Sequence, residues 1–189
     1  MRLVLASTSP RRRELLARIG VVPDRIAAPE IDEAPLQGEL PRVYVERVAG
    51  EKALAVARDA DEIVLAGDTS VTVGRRILGK PDDEADLRRM LALLSGRRHR
   101  CLSAICLIGT DGRARTRLSE TVVAFKRLEQ AEIDAYVRSG EGMGKAGGYA
   151  IQGRAETFVR FLSGSHSGVV GLPVFETAAL LRAAGYPLG

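Results

Sequence analysis

The chain opens on a short apolar run, Leu3 to Ala6, that reads as a buried strand. Pro10 then begins a helical pattern ending near Gly20, with Ser9 at the N-cap and the proline at the first helical position, where its missing N–H costs nothing. Val21 to Ala28 reads as a second strand, and Pro29 to Pro41 as a polar loop carrying Glu30, Asp32 and Glu33. From Pro41 to about Ala60, the stripe Val45, Val48, Ala49, Ala53 and Val56 marks an amphipathic helix. Ile63 to Ala66 is another buried strand, ended by Gly67-Asp68-Thr69. Val71 to Val73 and Ile77-Leu78 follow as a hairpin turning at Gly74-Arg75.

A third helix is predicted over Asp82 to Ser95, its acidic first turn matching the positive end of the helix dipole. Arg100 to Ile108 and Arg115 to Phe125 read as long strands joined at Asp111-Gly112, a strong turn pair. Glu129 to Ser139 is helical, residues 140–153 are glycine-rich, Phe158 to Leu162 is a short strand, and Pro173 opens a last helix to about Ala184. Strands and helices alternate early and paired strands follow, so the expected fold is mixed α/β: a twisted sheet in two lobes around a central cleft. The chain length suits a single domain spanning 1–189.

Composition narrows the function. Aromatic residues make up only 4% with no Trp, too few for the stacking platforms of single-strand nucleic-acid binders. A net charge of +4 is a mild basic bias that an anionic small molecule satisfies, and no nucleic-acid partner is expected. Cys101 and Cys106 fall on one strand, and no C-x-x-C pair exists for a thiolate zinc site. Neither a signal-like apolar stretch nor one of membrane-spanning length is present, so a cytoplasmic protein with no membrane partner is expected. Apolar positions late in the chain allow a homodimer.

Several motifs fail on context. Gly74 to Lys80 nearly spells a P-loop, but Pro81 stands where a hydroxyl would hold Mg²⁺. Gly142-Met-Gly144-Lys-Ala-Gly147 has the letters of a dinucleotide fingerprint but follows a helix rather than a strand. Gly164-Ser-His-Ser-Gly168 puts His166 where a nucleophile elbow has its serine. His99 and His166 are read as surface or structural residues. What stands is an inventory for phosphate chemistry. Ser7, Ser9, Arg11 and Arg12 cluster at a helix start, where free N–H groups and guanidinium forks converge. Asp68 follows a buried strand, Glu33 sits on a loop, and Lys52 and Lys80 add positive charge. Carboxylates can orient water or hold a divalent cation while cations neutralise phosphate oxygens.

Six ordered motifs now matter together: Leu-Ala-Ser7-Thr-Ser9-Pro10-Arg11-Arg12, Gly67-Asp68-Thr69, Leu78-Gly-Lys80-Pro81, Leu94-Ser-Gly96, Lys145-Ala-Gly-Gly-Tyr149-Ala-Ile-Gln152-Gly153 and Val170-Gly-Leu-Pro173. With them, nearly the whole chain resembles the Maf family of nucleoside triphosphate pyrophosphatases. That resemblance implies an inosine-triphosphate-pyrophosphatase-like fold and metal-dependent hydrolysis between the α and β phosphates, with Mg²⁺ or Mn²⁺. It further implies that Ser7, Ser9, Arg11, Arg12 and Lys145 hold the substrate and that Lys52 and Lys80 supply charge. Asp68 matches the proton acceptor, and Glu33 an acidic partner; either is a candidate metal ligand. Arg12, Thr69 and Gln152 resemble the subgroup acting on dTTP and UTP rather than the one acting on 7-methyl-GTP. An amide at position 152 can donate to O4 and accept from N3–H of uracil or thymine. Gly144, and the order Gly148-Tyr149-Ala150, depart from the family pattern, so modified pyrimidine nucleotides are also expected substrates. The rival expectation is a nucleotide-sensing regulator of cell division with little turnover.

Overall fold

The computed structural model describes residues 1–188. Seven strands form one mixed sheet: β1 (Arg2–Leu5), β2 (Arg25–Ile26), β3 (Glu62–Val73), β4 (Arg76–Leu78), β5 (Arg98–Ile108), β6 (Ala114–Phe125) and β7 (Val159–Ser163). Their order is β2-β1-β3-β5-β6-β7, with β4 folded back on the far end of β3. β1 runs parallel to β2 and β3, and every other pairing is antiparallel. The helices are α1 (Pro10–Ala17), α2 (Pro41–Leu54), α3 (Glu84–Leu94), α4 (Gln130–Arg138), α5 (His166–Val170) and α6 (Val174–Ala183). The mixed α/β expectation holds.

The unbroken apolar runs have a plain cause: the central strands are covered on both faces. Leu3, Leu5, Ile63 and Leu65 pack with Leu15 and Leu16 of α1 and Leu180 and Leu181 of α6. The alternate residues Val4, Val64 and Ala66 pack instead with Val45, Val48, Ala49 and Ala53 of α2. A third core gathers Leu87, Leu91 and Leu94 of α3, Ile133, Tyr136 and Val137 of α4, and Val71, Phe125 and Tyr149. Each fully buried leucine or isoleucine contributes about 1.5–3 kcal/mol. Along β3 the chain therefore leaves the first two cores after Ala66 and joins the third at Val71. Gly67 to Ser70 lies at the changeover.

Four expectations change. The second strand shrinks to Arg25–Ile26, a short ladder on β1 bounded by Asp24 N donating to Leu3 O at 2.9 Å and Ala27 N to Leu5 O at 3.0 Å. The long helix ends at Leu54 rather than near Ala60. Gly67-Asp68-Thr69 does not end a strand: β3 runs on through it to Val73, held by unbroken pairing with β5. And Ser9 occupies the N-cap without a side-chain capping bond, leaving the first-turn amides of α1 without a side-chain acceptor. The short helix α5, capped by Ser165 Oγ accepting from Gly168 N, has no counterpart in the sequence reading.

His99 is structural and deeply buried, at 3% exposure. Its Nε2 lies 2.9 Å from Tyr149 Oη, and its ring stands edge-on to Phe125 and Tyr149. Burial pulls its pKa down to about 4 from the ordinary 6.5. Between those two values the unfolded chain binds the extra proton and the folded one does not. The stability from a neutral His99 is thus complete above pH 6.5 and is lost as pH falls toward 4, at up to about 1.4 kcal/mol per unit. In His99→Gln, which does not titrate, denaturant unfolding should show a shallower loss of stability from pH 6.5 to 4 than in the wild type; equal slopes would contradict the assignment. Gly147 has φ +69°, and a Cβ there would sit 2.7 Å from the Val71 side chain. Gly147→Ala should cost about 1–3 kcal/mol in urea unfolding, and more than Gly144→Ala, which shares the positive φ but has open space around it.

Candidate active site

All eleven residues singled out in the sequence line one cleft of about 950 Å³ at the changeover in β3. That volume suits a ligand of nucleotide size. The floor is an acid–ammonium–acid bridge. Lys52, near the end of α2, directs its Nζ to Asp68 Oδ1 at 2.8 Å and to Glu33 Oε2 at 2.9 Å. The Lys52 and Asp68 side chains are only 8% and 9% exposed, whereas Glu33 is 43% exposed. The inner pair is therefore the strong arm; water screens the outer one, and exposed pairs contribute about 0–1 kcal/mol.

Glu33 reaches the bridge because α2 ties its loop down. Tyr44 Oη donates to Glu33 O at 2.9 Å. Arg47 grips Glu39 with Nε and Nη2 at 2.7 and 2.8 Å and donates to Ala34 O at 3.1 Å. Burial, with the charges of Asp68 and Glu33 behind it, pushes the Tyr44 hydroxyl up to about 12, so it stays a neutral donor.

The second wall is cationic. Ser7 Oγ accepts from Ser9 N at 3.2 Å and from Arg12 Nη1 at 3.0 Å. Arg12 Nε donates to Gly171 O at 2.9 Å, and the same carbonyl lies 3.5 Å from Thr69 Oγ1. Burial draws the Arg12 guanidinium below its usual pKa, Asp68 opposes the shift, and Arg11 adds to it; an arginine remains charged regardless. Lys145 is lowered too, first by burial and then by Arg11. Three cations held where they repel one another make a site that gains from a bound anion. Lys80 and Gln152 are exposed on the rim. Thr69 Oγ1 pairs with Ser103 Oγ at 3.0 Å across the β3–β5 register.

Tyr44, Ser103 and the Gly171 carbonyl escaped the sequence reading. Tyr44 falls on the helix stripe and looks like core. Ser103 acquires meaning only through its register with Thr69, and a backbone carbonyl leaves no mark in a sequence. Among the described residues, no three His, Cys, Asp or Glu side chains converge as a metal cage. The donor set nonetheless fits Mg²⁺ or Mn²⁺, hard ions held by one or two carboxylates together with substrate phosphates.

Sheet and cleft together describe a mixed α/β protein whose site suits a phosphate-bearing small molecule. The chain belongs to the Maf-like protein family, whose model matches residues 2–184. A dTTP/UTP pyrophosphatase of Sphingopyxis alaskensis is 77% identical over 187 residues, covering 99% of this chain and 98% of the relative. One from Novosphingobium aromaticivorans is 61% identical, covering 97% and 92%. Among solved structures, the nucleoside-triphosphatase / dITP/XTP pyrophosphatase of Mycobacterium abscessus is a distant match, with 18% identity, a TM-score of 0.45, and coverage of 98% of this chain and 95% of that one.

Breaking a buried ion pair by removing one partner costs about 3–5 kcal/mol. Because Arg12 still faces Asp68, Lys52→Met should fall near the lower end, about 3 kcal/mol in urea unfolding. Adding Asp68→Asn should recover most of that loss. Glu33→Gln should cost under about 1 kcal/mol. A Lys52→Met variant as stable as the wild type would contradict the bridge.

Proposed function

We propose that this cleft hydrolyses dTTP and UTP, and pyrimidine triphosphates modified on the base, between the α and β phosphates, yielding the monophosphate and pyrophosphate. The observation that carries the reading is the bridge Glu33–Lys52–Asp68 set opposite the cationic wall of Arg11, Arg12 and Lys145. It supplies a positioned base on one side and charge neutralisation on the other, which hydrolysis of a phosphoanhydride needs. The names of the relatives support the choice of substrate. A cytoplasmic setting, where free triphosphates are at hand, suits the reaction.

Arg11, Arg12, Ser7, Ser9 and the uncapped amides of α1 would grip the triphosphate, with Lys145 and Lys80 closing on its outer oxygens. Lys52 holds Asp68 by Oδ1, which leaves Oδ2 to take the proton of the attacking water. As the water oxygen bonds to phosphorus, the bond to the bridging oxygen breaks and its electron pair leaves with pyrophosphate. Glu33 and Asp68 are the residues that would hold a divalent cation, whose contribution is to neutralise phosphate charge. Thr69 would sit against the nucleoside, fixed by Ser103 and the Gly171 carbonyl. Gln152, on the rim, would read the O4 and N3–H edge of the base through its amide.

Pyrophosphate release from dTTP, UTP, CTP, GTP and 7-methyl-GTP, with and without Mg²⁺ or Mn²⁺, tests this directly. Turnover should favour dTTP, UTP and their modified forms strongly over CTP, GTP and 7-methyl-GTP and should need the metal. Asp68→Asn should lower kcat about 10²–10⁴-fold, the usual contribution of a general base. Binding of triphosphates without turnover would instead favour a nucleotide-sensing regulator. Preference for 7-methyl-GTP would keep the chemistry and overturn the base selection.

A further inference from the structure

Gln152 rides on a tight turn whose two ends are held by one helix and its extension. Gly153 N donates to Ala150 O at 3.1 Å, closing residues 150–153 into a four-residue turn. At its near end, Ala150 N donates to Tyr136 Oη at 3.1 Å. At its far end, Arg154 N donates to Glu141 Oε2 at 3.1 Å. Tyr136 lies on α4, and Glu141 follows just beyond that helix. The two side chains thus bracket Gln152 from behind, and neither lines the cleft.

The packing leaves little play. Tyr136 is buried in the third core, where its ring stands edge-on to Phe158. A Cβ at Gly153 would come within 2.5–2.6 Å of the carboxylate atoms of Glu141. Glycine there lets the carboxylate lie against the turn. Gly153, Glu141 and Tyr136 therefore form one fitted unit.

We infer that Tyr136 and Glu141 are positioning residues for base selection, fixing the 150–153 turn so that the Gln152 amide meets the pyrimidine edge. The inference rests on the reading of Gln152 given above. An amide matched to a donor and an acceptor on one base edge discriminates only when held in place, and a shift of about 1 Å can cost on the order of a hundredfold. Loss of either anchor frees the turn without touching the bridge at Asp68. The Glu141 carbonyl, which accepts from Lys145 Nζ, is unaffected by changes to the Glu141 side chain.

The test compares kcat/KM for UTP and CTP, which differ at the edge Gln152 would read, in the full-length wild type, Tyr136→Phe, Glu141→Ala, Glu141→Gln and Gln152→Ala. Tyr136→Phe and Glu141→Ala should lower the UTP-to-CTP ratio by about tenfold or more. Glu141→Gln, which keeps an acceptor oxygen for Arg154 N, should retain the wild-type ratio. A merely structural role would depress both substrates alike and leave the ratio unmoved. If Glu141→Ala does not fold, Tyr136→Phe still decides. A ratio lost in Gln152→Ala but kept in Tyr136→Phe and Glu141→Ala overturns the positioning role alone. A wild-type ratio near one, or one untouched by Gln152→Ala, overturns the base reading and this inference with it.

Discussion

A lysine ammonium out of water needs a negative partner, and the cleft is organised around meeting that need twice. Lys52 can be buried because Asp68 stands 2.8 Å away on the neighbouring strand. Asp68 can be buried in mid-sheet only because Lys52 is there. Glu33 adds a weaker, wetter arm, which reaches the ammonium because Tyr44 and Arg47 hold the loop before α2 to the helix. Removing the ammonium would leave a buried carboxylate with only the guanidinium of Arg12 opposite it. The same interaction that makes the floor of the cleft foldable also aims a carboxylate oxygen into it.

The placement of this bridge follows from the sheet. β3 serves two cores at once as far as Ala66, one on each face, and a third from Val71, and between them lies a stretch that belongs to no apolar cluster. Polar residues occupy that stretch, Asp68, Thr69 and Ser70, and the carboxylate among them is met by Lys52 of α2. At Gly67 a Cβ would approach Ala104 O to 3.1 Å and Arg12 Nε to 3.6 Å, so the absence of a side chain lets β5 and the arginine close in. Stability and opening for a ligand are therefore divided along one strand rather than between separate elements.

Much of this was legible locally. The run Leu3–Ala6, the proline start of α1 and the acidic first turn of α3 are short-range signals, and the structure keeps them. The candidate residues could be picked out because phosphate chemistry draws on few residue types, and Ser7, Ser9, Arg11 and Arg12 stand together between the end of β1 and the start of α1. What stayed hidden was set by distant partners. Gly67-Asp68-Thr69 looked like the end of a strand because its own residues favour turns; pairing with Asp68↔Ala104 and its neighbours overrides that preference. Ser9 looked like a helix cap, but Ser7 Oγ takes its backbone N–H and its own side chain makes no cap. Ser103 meets Thr69 across 34 residues of chain, and Tyr44 and Arg47 bond a loop whose path no periodicity marks.

One carbonyl carries a consequence for how the molecule comes into being. Gly171 O binds Arg12 across 159 residues of chain, and β1 finds its place beside β3 only after some sixty residues have intervened. Contacts so distant must overcome the entropy of closing long loops before they repay it, and chains built on them fold slowly. During synthesis, the arginine wall therefore waits for residue 171 of the 189 to emerge. Until then Arg11 and Arg12 are ordinary solvated cations on a nascent chain, and a fragment stopping short of Gly171 carries most of the site's residues without the site.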